Sequence, residues 1–347
     1  YADDLGYGEL GVYGQEKIET PNIDKLAENG VRFTQHYSGA PVCAPSRSIL
    51  LTGLHSGHTP IRGNDEWVER GDIWNYRAQI NDSTLEGQKP LPDETITIAD
   101  ILKQGGYRTG AIGKWGLGAP HTNGIPTQQG FDYFFGYNCQ RQAHTYYPVH
   151  LYENEHRVYL DNDTVAPHTG LPEDADPYDE ASYEKFTLND YAPDLMFKHI
   201  KKFIQDSEKA PFFLYWATPV PHVPIQAPEK WVDYYVKKFG DEEPYVGNNG
   251  YFPHRHPRAG YAAMISYLDE RVGQLVRKLK AMGLYANTLI IFSSDNGPTF
   301  NGGADTQWFN SAGPFDSKRG RGKGFLHEGG IRVPMIAAWP GEIEQER

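Results

Sequence analysis

A cysteine, a proline and an arginine alternate with small residues in the segment Cys43-Ala44-Pro45-Ser46-Arg47. Pro45 favours the first turn of a helix, which Gly53 is placed to end. Cys43 would then lie just before a helix N-terminus, where free N–H groups and the helix dipole attract an anion. Arg47, one turn further on, adds a planar fork of donors suited to a tetrahedral oxyanion. A lone cysteine is more often a small buried hydrophobic residue, so this segment alone leaves both interpretations open.

Two pairs of oxygen-bearing side chains lie near opposite ends of the chain. Asp3 and Asp4 come at its start, and Asp295 and Asn296 follow the apolar run 288–293. Carboxylate and amide oxygens suit a hard cation, Ca²⁺ or Mg²⁺, rather than zinc. Both pairs come at the ends of strand-like runs, so one sheet could bring them together. Each pair alone is equally typical of a tight or exposed turn.

Three basic side chains occur in segments rich in glycine or proline. Lys114 follows a glycine, Lys323 lies between two glycines, and His222 lies among three prolines after an apolar run. Glycine allows a backbone to approach a ligand closely. The ordinary interpretation of each residue alone is a solvated surface lysine or a structural histidine.

The elements that must position these residues alternate between helix and strand. The periodicity of apolar residues predicts helices over 22–30, 193–207 and 261–282 and from Asp93 to Gly105, and strands over 31–37, 107–112, 212–217 and 288–293. Helix-then-strand repetition with apolar strands predicts an α/β fold with a large, mainly parallel sheet and helices on both faces. We expect one catalytic domain over 1–347, truncated at both ends.

Three long polar stretches interrupt this alternation, at about 54–92, 119–190 and 240–257. They are too long for simple connections and are rich in Tyr, His, Asn and Pro. Loops of this length are usually functional, and in an open α/β sheet they gather at the carboxyl ends of the strands. We therefore predict that they are insertions around an active site.

Composition narrows the class of protein further. The 347 residues include 33 basic and 45 acidic side chains, a formal net charge of −12, which argues against a uniformly basic nucleic-acid footprint. No apolar run approaches the roughly 18 residues of a membrane span. The two cysteines are too few for a disulfide framework. Aromatic residues make up 13% of the chain, which suggests a surface on which sugars stack.

Six segments, in order along nearly the whole chain, resemble the motifs of the formylglycine-dependent sulfatases (type I sulfatases of the alkaline-phosphatase-like superfamily). They are Asp3-Asp4-Leu5-Gly6, Cys43 to Gly53, Gly113-Lys114-Trp115, Thr218 to Pro224, Ser294-Asp295-Asn296-Gly297, and Gly322-Lys323-Gly324 followed by Glu328 to Pro334. Any one segment is weak evidence, whereas six in this order are specific. The resemblance implies an alkaline-phosphatase-like fold. The family's small C-terminal antiparallel subdomain is expected to be absent from this chain.

The resemblance also implies cofactors and roles. A maturation enzyme would oxidise Cys43 to formylglycine, whose hydrate attacks the sulfur of a sulfate monoester and then expels sulfate as the aldehyde re-forms. The implied ligands of a Ca²⁺ ion, with Mg²⁺ as the alternative, are Asp3, Asp4, residue 43, Asp295 and Asn296. The implied sulfate-binding cations are Arg47, Lys114 and Lys323. His222 is the implied partner or proton donor of the ester oxygen.

Two positions depart from the family's pattern. Many sulfatases carry a histidine two residues after the mid-chain lysine, where it contacts the hydrated formylglycine, but this chain has Gly116. His144 is a candidate for its role or for a substrate contact. His327 stands where relatives often have an aromatic residue, and either faces the substrate or is a structural loop histidine.

The substrate implied is a sulfated carbohydrate, of galactose or hexosamine type. Arg62, Asn64, His144 and His327 are candidate substrate contacts, because polar groups mixed with aromatic rings suit a sugar. Two rivals stay open: a phosphonate or phosphodiester hydrolase of the same superfamily, and a catalytically silent protein that binds sulfated glycans. The resemblance implies a periplasmic, secreted or lysosome-like location.

Overall fold

The computed structural model of the protein describes residues 1–343 and has an α/β fold with two sheets. The helices are Pro21–Glu28 (α1), Cys43–Thr52 (α2), Tyr76–Asn81 (α3), Ile98–Gln104 (α4), Ala192–Asp206 (α5), Glu229–Phe239 (α6), Pro257–Ala281 (α7) and Glu328–Ile331 (α8). The strands are Val31–Phe33 (β1), Arg108–Lys114 (β2), Tyr133–Tyr137 (β3), His150–Glu153 (β4), His156–Tyr159 (β5), Phe212–Ala217 (β6), Ile290–Ser293 (β7) and Met335–Ala338 (β8).

The chain divides into two compact units. The first comprises residues 1–41, 168–186 and the part from residue 220 onward, and the second comprises residues 42–167 and 187–219. That both units act as one catalytic domain over 1–347 stays a prediction.

The second unit is built on a five-stranded sheet in the order β5-β4-β3-β2-β6. The strand β2 lies between β3 and β6 and pairs in parallel with both, and β4 and β5 continue the sheet beyond β3 in antiparallel fashion. Helix α5 packs closely on β2. The ring of Phe203 in α5 lies so near Gly110 in β2 that a Cβ at position 110 would be 2.6 Å from it. Lys114 is the last residue of β2, so it lies at the carboxyl end of this strand.

The first unit is built on a three-stranded antiparallel sheet in the order β1-β8-β7. The long helix α7 begins with a proline in its first turn and buries residues such as Ile265 and Leu268 at helical spacing. Asp269 of α7 accepts hydrogen bonds from the backbone N–H groups of Asn22 and Ile23, which fixes the N-terminus of α1. Beyond β7, Ser294 forms a parallel bridge with Ala2.

The predicted α/β class is confirmed, but two details were wrong. Within the five-stranded sheet, parallel pairing is limited to β2 with its two neighbours, so this sheet is mixed rather than mainly parallel. The stretch 119–190 is not simply an insertion, because β3, β4 and β5 lie within it and belong to that sheet. The run Tyr133–Tyr137 consists of aromatic residues, which are common in strands, and one glycine; it was not recognised as a strand because it lacks a period-two alternation.

Candidate active site

The two acidic segments at opposite ends of the chain meet in the first unit. Ala2 donates its backbone N–H to the carbonyl of Ser293 at 2.8 Å, and Asp295 returns a bond to the Ala2 carbonyl at 3.1 Å. These bonds bring the backbone N–H of Asp4 to 3.0 Å from Oδ1 of Asp295, although 291 positions separate the two residues. The predicted convergence of the Asp3-Asp4 and Asp295-Asn296 pairs is therefore confirmed.

The carboxamide of Asn296 indicates where a cation would bind. Its Nδ2 donates to Oδ1 of Asp4 at 2.7 Å and to the carbonyl of Gly297 at 2.9 Å. Its Oδ1 is buried and has no hydrogen-bond partner within residues 1–343. A buried acceptor without a donor is costly, and a hard cation would satisfy it.

The charges of the buried side chains also indicate a site for a cation. Asp3, Asp4 and Asp295 are each 0% exposed. The ammonium Nζ of Lys323 lies 2.7 Å from Oδ2 of Asp4. Three buried carboxylates beside one lysine carry an excess of negative charge, which is expensive in a low-dielectric interior. These residues therefore fit a divalent cation with oxygen ligands.

His222 completes this group, which we call the acid cluster (Asp3, Asp4, His222, Asp295, Asn296 and Lys323). Its Nδ1 hydrogen-bonds to the carbonyl of Val223, which assigns the proton to Nδ1. Its Nε2 lies 3.6 Å from Oδ2 of Asp4. One potential ligand atom from each of Asp3, Asp4 and His222 lies within 4.8 Å of the others. Nε2 is therefore placed either to bind a cation or to exchange a proton there.

Glu9 is a buried acid beside this cluster that sequence reasoning missed. Its carboxyl accepts a hydrogen bond from the backbone N–H of Gly6 at 2.6 Å and from the hydroxyl of Tyr261 at 2.7 Å. Burial, opposed by these hydrogen bonds and reinforced by the charge of Asp4, raises the pKa of Glu9 to about 7. Glu9 thus fixes the loop that follows the aspartate pair. The only sequence signal was an acid within a glycine-rich stretch.

In the second unit, α2 carries the cysteine–arginine segment. The helix begins at Cys43 itself and ends at Gly53, whose φ of 69° suits a glycine. The prediction that Cys43 lies just before the helix was therefore wrong by one residue, because the extended residue at the helix start is Val42. Cys43 is fully buried in the first turn.

Arg47 contacts Lys114 at the carboxyl end of β2. Nη1 of Arg47 donates to the backbone carbonyl of Lys114, and both side chains are almost completely buried. Two buried like charges repel each other in a low-dielectric interior, so an anion bound beside them would be stabilising. We call Cys43, Arg47 and Lys114 the cationic cluster.

The candidate substrate contacts have different surroundings. Arg62 is exposed and donates to the carbonyl of Gly57 at 3.0 Å. Oδ1 of Asn64 accepts the backbone N–H of Ala44 at 2.8 Å, so this side chain caps α2. His144 is half-buried in a short 3-10 helix of the second unit, and His327 is exposed just before α8 in the first. Their roles toward a substrate stay predictions, as does metal binding by residue 43.

Comparisons with known proteins agree with this geometry. The family model described as Sulfatase matches residues 1–347. N-acetylgalactosamine-6-sulfatase of Canis lupus familiaris is 31% identical over 358 residues, covering 99% of this chain and 57% of the dog protein. N-acetylgalactosamine-6-O-sulfatase of Bacteroides thetaiotaomicron is 30% identical over 392 residues, covering 100% of this chain and 68% of the relative. This chain thus spans little more than half the length of the dog protein.

A solved structure shares the fold. The crystal structure of Ps i-CgsB in complex with k-i-k-neocarrahexaose is 28% identical, with a TM-score of 0.74, over 99% of this chain and 66% of that chain. The expected alkaline-phosphatase-like fold is therefore confirmed. Among residues 1–343, none of the helices combines the length and the apolar character needed to cross a bilayer.

Proposed function

Because this chain belongs to the sulfatase family, we propose that it hydrolyses sulfate monoesters of carbohydrates and releases inorganic sulfate. The observation that carries this proposal is the acid cluster, in which buried carboxylates surround the unpartnered Oδ1 of Asn296. That arrangement is a site for a hard divalent cation, the metal that the family requires. Four of the six sequence segments contribute side chains to it, namely those that contain Asp3-Asp4, His222, Asp295-Asn296 and Lys323.

We propose Ca²⁺ as the resident ion, with Mg²⁺ as the alternative. Asp3, Asp4, Asp295 and Asn296 would hold it, because all four offer oxygen atoms in a buried position. When bound, the cation supplies positive charge that stabilises an oxyanion and activates a hydroxyl nucleophile. Asp4 is held in place for this role by its contacts with Asn296 and Lys323.

Residue 43 is the proposed nucleophile, as formylglycine made from Cys43 by a maturation enzyme. As a formylglycine hydrate, residue 43 would offer one hydroxyl to attack sulfur as the ester S–O bond breaks, and a second whose deprotonation would re-form the aldehyde as the C–O bond to sulfate breaks; a thiol offers no second hydroxyl. The chain's contribution is the first turn of α2, which holds residue 43 buried at a helix N-terminus, where N–H groups and the dipole favour negative charge.

The basic residues would neutralise the sulfate group. The fork of Arg47, fixed by the carbonyl of Lys114, offers donors suited to a tetrahedral anion, and Lys114 adds a second buried charge. Lys323 would bind a sulfate oxygen near the leaving group. His222, with its proton on Nδ1, leaves Nε2 to pass a proton to or from the ester oxygen.

A sulfated sugar is the proposed substrate class. Two of the relatives described above are named as sulfatases that act on N-acetylgalactosamine 6-sulfate, and the solved structure of the same fold contains an oligosaccharide. Exposed polar side chains of the second unit, such as Arg62 and Asn64, support recognition of hydroxyl groups. We favour a galactose- or hexosamine-type residue. The expected periplasmic, secreted or lysosome-like location stays a prediction.

The test is turnover by full-length protein co-expressed with a maturation enzyme. Ion chromatography would measure sulfate released from mono- and oligosaccharides that differ only in sulfate position, beside matched phosphate esters. We expect sulfate release from at least one galactose or hexosamine sulfate. Preference for the phosphate ester would instead identify a phosphonate or phosphodiester hydrolase. Binding of the glycan without turnover, at full conversion of residue 43, would identify a silent binding protein.

A further inference from the structure

The side chain of Gln140 occupies the space beside Gly116. The φ of Gly116 is 75°, in the left-handed region that L side chains rarely adopt. A Cβ built there would lie 2.7 Å from Cγ of Gln140 and 3.2 Å from its Cδ and Nε2. A histidine at this position would therefore have to adopt the left-handed backbone conformation and displace the side chain of Gln140.

Gln140 is held from two directions. Its backbone N–H donates to Oε1 of Gln88 at 3.2 Å, and its side-chain Nε2 donates to Oδ1 of Asn64 at 3.1 Å. Only 5% of the residue is exposed. An amide buried and bonded in this way has little rotational freedom, so it can fix the position of the group to which it donates.

The direction of the hydrogen bonds follows from the backbone of α2. The N–H of Ala44 can only donate, so the atom of Asn64 that lies 2.8 Å away must be the oxygen Oδ1. Because Oδ1 can only accept, the atom of Gln140 that contacts it must be Nε2. The relay Gln140–Asn64–Ala44 therefore has one consistent orientation, which leaves Nδ2 of Asn64 as a donor for a ligand.

The relay supplies a side-chain cap for the N-terminus of α2, which has none from its own N-cap residue. Val42 stands at the N-cap position of α2 and has no side chain that accepts a hydrogen bond. Asn64, 20 positions further along the chain, accepts the N–H of the residue next to Cys43 instead. The orientation of Asn64, and with it the first turn that holds residue 43, thus depends on the donor of Gln140.

We propose that Gln140 is a positioning residue for residue 43, acting through Asn64 and the Ala44 amide in the place that a histidine at position 116 would take. This inference rests on the proposed function. A carboxamide does not accept a proton near neutral pH, so Gln140 does not replace the missing base; it fixes the nucleophile's helix turn.

Four variants test the relay. Gln140→Ala removes the donor, and Gln140→Glu keeps the shape beside Gly116 but puts an acceptor against Oδ1 of Asn64. Asn64→Asp keeps an oxygen that can accept from both Ala44 and Gln140, so this conservative variant is expected to preserve the relay. Gln142→Ala is the matched control, because Gln142 is a buried glutamine two residues away whose amide bonds to Gln79 instead.

Two readouts separate positioning from folding. One is kcat and KM for sulfate release, normalised to the formylglycine fraction measured by mass spectrometry. The other is hydrogen exchange of the amides at the start of α2, measured on full-length protein. We expect Gln140→Ala and Gln140→Glu to lower kcat by about 10- to 100-fold, with KM changed less than about threefold. We expect Ala44 exchange to accelerate by about tenfold or more.

Asn64→Asp is expected to retain wild-type exchange at Ala44, and Gln142→Ala to lower only the Tm. The inference is overturned if Gln140→Ala and Gln140→Glu leave kcat or Ala44 exchange at the wild-type value, or if Gln142→Ala reproduces their effects. Failure of the proposed function is distinguishable, because wild-type protein would then release no sulfate. In that case unchanged exchange in the Gln140 variants still refutes the relay, and accelerated exchange still supports it.

Discussion

In the acid cluster, three buried carboxylates and an unpartnered amide oxygen accumulate negative charge in the first unit. In the cationic cluster of the second unit, Arg47 and Lys114 bury two positive charges beside the helix that carries Cys43. A ligand of opposite charge would stabilise each cluster. In the proposed function, the first unit would therefore hold the metal, and the second would supply the nucleophile and the anion-binding groups.

The largest effect is expected from a variant that removes the proposed nucleophile and leaves the proposed metal ligands in place. Cys43→Ala should lower sulfate release by about 10⁴-fold or more, because no hydroxyl nucleophile remains at position 43. Bound calcium, measured by mass spectrometry of the metal, should persist because four oxygen ligands come from the first unit. Cys139→Ala, which alters the other buried cysteine, should retain turnover. Equal loss in both variants would contradict the role of residue 43.

The converse change removes the metal and leaves the nucleophile. Asn296→Ala deletes the unpartnered oxygen, so we expect calcium content to fall to about half of the wild-type value or less, and turnover to fall by about 10²- to 10³-fold. Conversion of residue 43 should be unaffected. Asn287→Ala, at an exposed asparagine of the same unit, is the control. Wild-type calcium content in Asn296→Ala would show that the ion binds elsewhere.

Arg47→Lys tests the geometry of the cationic cluster while keeping its charge. A lysine lacks the planar fork and the bond to the Lys114 carbonyl, so kcat/KM should fall by about 10²-fold. Calcium content should not change. Arg77→Lys, an exposed change in α3, should have no effect on kcat/KM. An unaltered kcat/KM in Arg47→Lys would mean that only net charge matters there.

The smallest effect concerns the contribution of Glu9, beside the acid cluster, to the free energy of unfolding of the protein. The raised pKa of Glu9, about 7, means that the folded protein binds a proton that an unfolded chain with a pKa of 4.5 has lost. Stability is therefore expected to fall as pH rises from about 4.5 to about 7, by about 3 kcal/mol from this group. Glu9→Gln has no carboxyl to titrate, so its free energy of unfolding should not show this decrease between pH 4.5 and about pH 7. Urea unfolding in chelator, which removes the cation's influence, is the measurement; identical pH dependence in the two proteins would refute it.

The sequence predicted the parts of the site that depend on strand ends and helix starts. The aspartate pair and the Asp295-Asn296 pair were expected to converge because each lies at the end of a strand-like run, and the Ala2–Ser294 bridge explains why they do. The proline and glycine around Arg47 correctly predicted α2. The strand β3 was missed, although Phe and Tyr are common in strands, because it has no period-two alternation and lies within the long polar stretch 119–190.

Other features depend on contacts between distant side chains, which no local pattern encodes. Asn64 was expected to contact substrate, yet its oxygen caps α2 from 20 positions away. Gly116 was recognised as a departure from the family, but neither its positive φ nor the Gln140 side chain that fills the space beside it could be predicted from the sequence. Helix α6 was also missed, since no element was assigned between the predicted strand 212–217 and the polar stretch 240–257.

The central claim is that residue 43, converted to formylglycine, performs the hydrolysis of a sulfate ester. Preparations with different degrees of conversion, quantified by peptide mass spectrometry, should be compared for sulfate release at saturating calcium. Our account predicts that the rate rises in proportion to the converted fraction and extrapolates to zero at no conversion. A rate independent of that fraction, with unmodified Cys43 as active as the converted residue, would contradict it.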